Sequence, residues 1–366
     1  MIKIEPSLQQ QNEKSIEELH WDWFYGKFNR IHNKNRRDKI LKNVLHIQES
    51  DLEILIKKPL DNPDFIELNE KITAHLDKHK NNAYYKRWIN AIGSIFKYDD
   101  FTNEKFGWCS YAYFKAMGIN VCPYCNRTYI FTVCETEEKN KKGKATNYIS
   151  EKFTAPEIDH FLPQEQYPHL ACSLYNFIPS CHACNHTKSS KIVDIIYPHR
   201  EGFEEDGSFR AYFNDSTADL NSLNCIDIKI RKTTPFSLDP IKKKAEEEKC
   251  LRISNSVQTF HLAKIYKEHE IELGDLFKRY RNYCYPKIKD ILYLFQENEL
   301  NDIGSLNTNQ IKAILSLYAK KMKRTFLGLP LGVDNNQYPL RKFKEDIINQ
   351  LDKAKVEIDN ERKNSP

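Results

Sequence analysis

Cys122-Pro123-Tyr124-Cys125 and Asn176-Phe177-Ile178-Pro179-Ser180-Cys181-His182-Ala183-Cys184-Asn185-His186-Thr187-Lys188, with Asp159-His160-Phe161-Leu162-Pro163 between them, decide how the middle of this chain folds. Two cysteines separated by two residues can present both thiolates to one cation. A second such pair completes a tetrahedral set of four sulphurs, which suits Zn²⁺. The interval 126–180 is far longer than the loop of a compact zinc ribbon. Cys122, Cys125, Cys181 and Cys184 are therefore expected to join two distant knuckles, enclose a β-hairpin between them and hold a structural zinc. The alternatives are ordinary buried cysteines, or a thioredoxin-like redox pair, which would want a single pair in a βαβ setting. Cys109, Cys134, Cys172, Cys225, Cys250 and Cys284 lack the paired spacing and read as small apolar fillers.

At 366 residues the chain exceeds the usual size of one hydrophobic core. Its 56 Lys+Arg against 51 Asp+Glu give a net charge of +5, so any nucleic-acid footprint must be local. Met1–Gln10 has no apolar segment after a basic start, and no stretch of 18 apolar residues occurs anywhere. The expectation is a soluble, cytoplasmic protein with no membrane partner, in a compartment where paired cysteines favour metal over disulfides.

Outward from the cysteine pairs, residues 1–118 read as an α-helical N-terminal region. Ser15-x-x-Glu18 forms a capping box ahead of Leu19, Trp23 and Phe24. The β-branched and aromatic run Thr128–Val133 predicts a strand, Lys139–Lys144 a long turn, and Phe153–Ile158 a second strand. Residues 119–200 are expected to form the zinc-bearing unit. Residues 201–366 are expected to be mostly α-helical, with short strands at Arg210–Phe213 and Cys225–Ile230. There Leu273, Leu276, Phe277 and Tyr280 follow helical spacing, and Ile288, Ile291, Leu292 and Phe295 repeat it beyond Pro286.

Asp159-His160 follows a strand-like run and precedes a proline that would end the strand, presenting both side chains there. A lone histidine is more often packed than catalytic. An adjacent aspartate shifts that weight, because a carboxylate binds a hard divalent ion while the imidazole accepts a proton near neutral pH. Phosphodiester hydrolysis needs both functions, water activation and charge neutralisation, side by side.

Taken together, these ordered motifs, spanning 121–191, resemble the HNH endonuclease family with its ββα-metal fold. The resemblance implies an α+β chain, a small ββα-metal core with a four-cysteine zinc site between α-rich flanks, acting as a metal-dependent DNA endonuclease. It assigns His160 as general base, Asp159 and, in an HNN subtype, Asn185 as ligands of a catalytic Mg²⁺ or Mn²⁺, and Asn176 as a brace bonded to backbone across the loop. Lys188, one helical turn past Asn185, would meet a substrate phosphate. His182 and His186 are the other candidates by spacing for the ligand position given to Asn185. Without the motif, Asn176 would cap or turn the chain and Lys188 would be a solvated lysine. The arrangement is also similar to nucleases of prokaryotic anti-phage systems, including Septu-type pairs, which implies an ABC-like ATPase partner docked on the flanking helices. RNA cleavage is a variant of the same reading. A zinc-stabilised nucleic-acid-binding or adaptor protein without cleavage is the alternative from another class.

Two basic clusters, Arg30, Lys34, Arg36, Arg37, Lys39 and Lys42, and Lys320, Lys321, Lys323 and Arg324, would each track a phosphate backbone or form a solvated helix face. Gly202 and Gly207 have the gap of a phosphate loop. Ser208 stands where lysine is needed, and Glu204, Glu205 and Asp206 would repel phosphates, so no ATPase is read here.

Overall fold

The capping box opens the first helix in the computed structural model. The Ser15 side chain accepts from Glu18 N at 3.2 Å, and Glu18 Oε2 accepts from Ser15 N at 2.9 Å. The structure describes residues 1–4, 14–31, 33–81, 83–141, 144–204, 206–212, 225–230, 237, 239–282, 323–330 and 334–364. The helical repeat read beyond Pro286, together with Cys284, Lys320 and Lys321, lies outside them.

The N-terminal region is a set of short helices: α1 (Ile16–Phe28), α2 (Lys34–Lys39), α3 (Asp51–Lys57), α4 (Pro63–Lys78), α5 (Tyr85–Ile95), α6 (Asp99–Asn103) and α7 (Ser110–Met117). Ser15, Asn33 and Asn62 cap α1, α2 and α4 with their side chains, and Asn62 accepts from Asp64 N and Phe65 N ahead of Pro63, a good first helical residue. A mixed segment follows, with β1 (Val133–Lys141), β2 (Lys144–Thr154), β3 (Glu157–His160), β4 (Phe177–Ser180) and α8 (His182–Lys188). Beyond it come β5 (Gly207–Tyr212), β6 (Cys225–Ile230), α9 (Pro240–Thr259), α10 (Leu262–Lys267), α11 (Glu270–Asn282) and α12 (Arg341–Asn364). Among the described residues the strands form three antiparallel two-stranded ribbons, β1 with β2, β3 with β4 and β5 with β6. The chain is α+β, mixed helix and small antiparallel sheet.

The first strand starts later than the sequence predicts. Thr128–Thr132 is not a strand; it wraps the first cysteine pair, with Cys122 N bonded to Thr128 O at 3.0 Å and Ile130 N to Asn120 O at 2.9 Å. The polar run read as a long turn instead carries the distal ends of the β1–β2 ribbon, where Lys141 pairs with Lys144. An exposed ribbon is held by its backbone ladder and does not need an apolar face, so its strands leave no alternating pattern to detect.

Among the described residues, two buried clusters form the interior. One packs Phe24, Leu45, Leu52, Leu55, Ile72 and Ile92 among the N-terminal helices and takes in Leu170, Ala171 and Cys172 from the loop between β3 and β4. The other runs from Phe101 and Tyr113 through the cysteine pairs to Tyr266, Leu273, Phe343 and Ile347, drawing on all three regions proposed from sequence. In it Leu273 and Leu276 are buried, as their spacing on α11 predicts.

Candidate functional site

Pairing of β3 with β4 sets Asp159 opposite Ile178 and His160 opposite Phe177, and α8 leaves directly from the end of β4. Because side chains alternate along a strand, Glu157 and Asp159 share one face while His160 points to the other.

The first knuckle turns on Asn126, whose N–H donates to Cys122 O at 2.8 Å and whose left-handed φ of 51° asparagine tolerates better than most residues. The second is the start of α8. The four thiols are buried and their sulphurs lie within 4.8 Å of one another, the Cys125 and Cys181 Sγ atoms 4.0 Å apart. Sulphurs about 2.3 Å from a shared tetrahedral Zn²⁺ would sit about 3.8 Å apart, so the set fits a closed metal site. Among the described residues it is the one group of ligating side chains that converges this way. Hydrogen bonding from Cys122 and the other two thiols draws the Cys125 thiol well below its ordinary range.

Asp159 is sealed in. It is 3% exposed; one oxygen accepts from the Tyr124 hydroxyl at 2.5 Å and the other from the Lys188 ammonium at 3.0 Å. Burial pushes its carboxyl up, and the lysine charge with these hydrogen bonds only partly offsets that. Lys188 is 1% exposed and also donates to His160 O at 2.9 Å. The reading of Lys188 as a residue reaching for a substrate phosphate is thereby corrected: the last turn of α8 faces the strand, and among the described residues the counter-charge within bonding distance is Asp159.

On the other face, the His160 ring lies edge-on to Tyr98 and Phe177, at centroid distances of 4.7 and 5.4 Å. Its Nε2 is 3.1 Å from Ala171 O. A carbonyl only accepts, so Nε2 carries the proton and Nδ1 keeps its lone pair. Burial lowers the imidazole to about 4, leaving it neutral at physiological pH. Asn176, fully buried, ties the loop beyond β3. Its Oδ1 accepts from Leu162 N at 2.7 Å, and its Nδ2 donates to Leu162 O at 3.0 Å and Leu170 O at 3.2 Å. Asn176→Ala strands these backbone groups and should cost about 2–4 kcal/mol, read as a lowered urea midpoint at constant slope. An unchanged midpoint would remove the brace.

Asn185 does not meet Asp159. Its Nδ2 donates to Glu157 Oε2 at 2.8 Å, and Glu157 Oε1 lies 2.7 Å from His182 Nδ1. Burial works to raise the Glu157 carboxyl, but the bonds from Asn185 and His182 prevail and hold it below its usual range. The Asp159, His160 and Asn185 side chains thus bond to different groups, although Lys188 reaches both the Asp159 carboxylate and His160 O. The expected juxtaposition of Asp159 with Asn185 around one ion is not what these side chains form. Sequence reading missed Glu157, although its position two residues before Asp159 on the same strand face was a usable signal.

Of the N-terminal basic cluster, Arg37 is buried over the Phe28 ring and paired with Asp38 and Glu49. Lys323 of the second cluster pairs with Asp352. No helix among the described residues is long and apolar enough to cross a membrane.

Compared with known proteins, the chain is 34% identical over 85 residues to the Septu protein PtuB of Bacillus thuringiensis, a stretch covering 22% of this chain. The match spans 25% of that relative's length. No family model matches the chain, and no solved structure does.

Proposed function

We propose that this chain is a metal-dependent HNH-type endonuclease hydrolysing DNA phosphodiester bonds, and that it works in anti-phage defence with an ABC-like ATPase partner. The observation carrying the proposal is His160: a neutral imidazole at the end of a ββα unit, its Nε2–H pinned to Ala171 O and its Nδ1, which bonds to none of the described residues, able to accept. In that role Nδ1 takes a proton from water as the water oxygen bonds to phosphorus and the P–O3′ bond breaks, leaving a 5′-phosphate and a 3′-hydroxyl once the alkoxide is protonated. Asn176 fixes the loop whose Ala171 carbonyl orients the ring, and Lys188 ties the His160 backbone to α8. A divalent cation, when bound, would neutralise charge on the phosphoryl group. Asp159 and Asn185, with their polar atoms turned to different partners, do not fit a shared cation, and no step is assigned to them through one. The defence association is supported by the similarity to a Septu protein. The partner is inferred with it.

Purified protein is expected to cut supercoiled plasmid with Mg²⁺ or Mn²⁺, and His160→Ala or EDTA to abolish the cutting; single-stranded RNA in the same assay separates the substrate classes. Because burial holds His160 at about 4, single-turnover cleavage should change less than about twofold between pH 7.5 and 5.5. An exposed imidazole would lose about tenfold over the same interval, and that outcome would contradict a base held neutral by its half-buried setting. A second reading, a zinc-stabilised nucleic-acid binder or adaptor without cleavage, is favoured by the sealed state of Asp159. Tight DNA binding with no cleavage, with or without the ATPase, would select it.

A further inference from the structure

We propose that Glu157, His182 and Asn185 form a divalent transition-metal site on the open side of β3, with His186 as an additional donor one helical turn on. Glu157 already gathers the other two side chains, at 2.7 Å from His182 Nδ1 and 2.8 Å from Asn185 Nδ2. The rings of His182 and His186, four residues apart on α8, lie 6.0 Å apart and 17° from parallel, so both project along one side of the helix. The group is open to solution, with side-chain exposures of 41% for Glu157 and 81% for His182. By contrast, Asp159 on the same strand face has both oxygens occupied by Tyr124 and Lys188.

Glu157 Oε1 and His182 Nδ1 are already in hydrogen-bonding contact at 2.7 Å. A carboxylate oxygen and an imidazole nitrogen each about 2.1 Å from one cation sit about 3.0–3.4 Å apart. Seating an ion between them therefore needs only a few tenths of an ångström of movement. Asn185 joins by turning its amide, presenting Oδ1 to the ion in place of Nδ2 to Glu157. Unlike the four buried sulphurs, these donors are drawn together by the ion itself, which suits a site that loads and unloads. Imidazole with one carboxylate selects Zn²⁺, Ni²⁺, Co²⁺ or Mn²⁺ over Mg²⁺. His160 lies three residues along β3, about 10 Å away, on the opposite face. The ion is therefore held without touching the proposed base, and its binding does not rest on the nuclease reading.

Full-length protein with its four-cysteine site filled should take up a second Zn²⁺ or Ni²⁺, seen by elemental analysis after dialysis and by calorimetric titration. Glu157→Gln and His182→Ala should each weaken that uptake by at least about tenfold, with the first zinc and the thermal midpoint retained. His160→Ala should bind the second ion as wild type does. Retention of full affinity in both Glu157→Gln and His182→Ala, or saturation at one metal per chain, overturns the site. Absence of plasmid cleavage alongside a normal second ion would sink only the nuclease reading.

Discussion

Cys181→Ser should yield a chain that holds well under one zinc per molecule and has lost the cooperative unfolding transition of its central region. An apparent free energy of about 10 kcal/mol or more is common for structural zinc, comparable to the whole stability of a typical domain at about 5–15 kcal/mol. Here the loss is compounded by position. Cys181 lies in the buried cluster with Tyr124, Phe177, Ile178 and Tyr266, and the Tyr266 hydroxyl donates to Cys125 O at 2.7 Å. Without metal, four buried thiols are left with weak S–H contacts such as that between Cys125 and Cys181. Strong chelation of the wild type should reproduce the effect, whereas Cys134→Ser, at a half-buried unpaired cysteine, should be silent. Near-ultraviolet dichroism, limited proteolysis and zinc content together read the outcome. A zinc-free variant with a wild-type melting profile would refute the staple.

The second large effect belongs to the buried ion pair. Lys188→Met leaves the Asp159 carboxylate without its cation at 3% exposure and should cost about 3–5 kcal/mol, because a lone buried charge is far more expensive than a paired one. Asp159→Asn combined with Lys188→Met removes both charges and should recover most of that loss, in a double-mutant cycle followed by urea denaturation. The Tyr124 hydroxyl then still has an acceptor on the asparagine. Equal destabilisation in the single and double variants would show that Lys188 acts through its His160 carbonyl contact rather than through Asp159.

The legible parts of this chain were those where chemistry is encoded locally. The two cysteine pairs foretold a converging sulphur set because spacing alone lets two thiols face one ion, and the capping box foretold where α1 begins. Leu273 and Leu276 were readable because burial of one face enforces helical spacing. The β1–β2 ribbon was misplaced because an exposed ladder demands little of its side chains. In the candidate site, the failures were of partner choice. Asn185 turning to Glu157, and Lys188 folding back onto Asp159, depend on how α8 lies across β3, which no local pattern specifies. The tie from Asn176 to Leu162 and Leu170 joins residues close in sequence and follows from the geometry of one loop.

Asn126, at the turn of the first knuckle, donates to Asn335 O, 209 positions later, and accepts at its carbonyl from Leu340 N at 2.6 Å and at its side chain from Lys342 N. A ribosome must therefore release most of the C-terminal half before this finger can lock. Zinc capture by the nascent polypeptide would precede final closure, and translation pauses or premature stops in that half would strand a half-built core for proteases and chaperones to find.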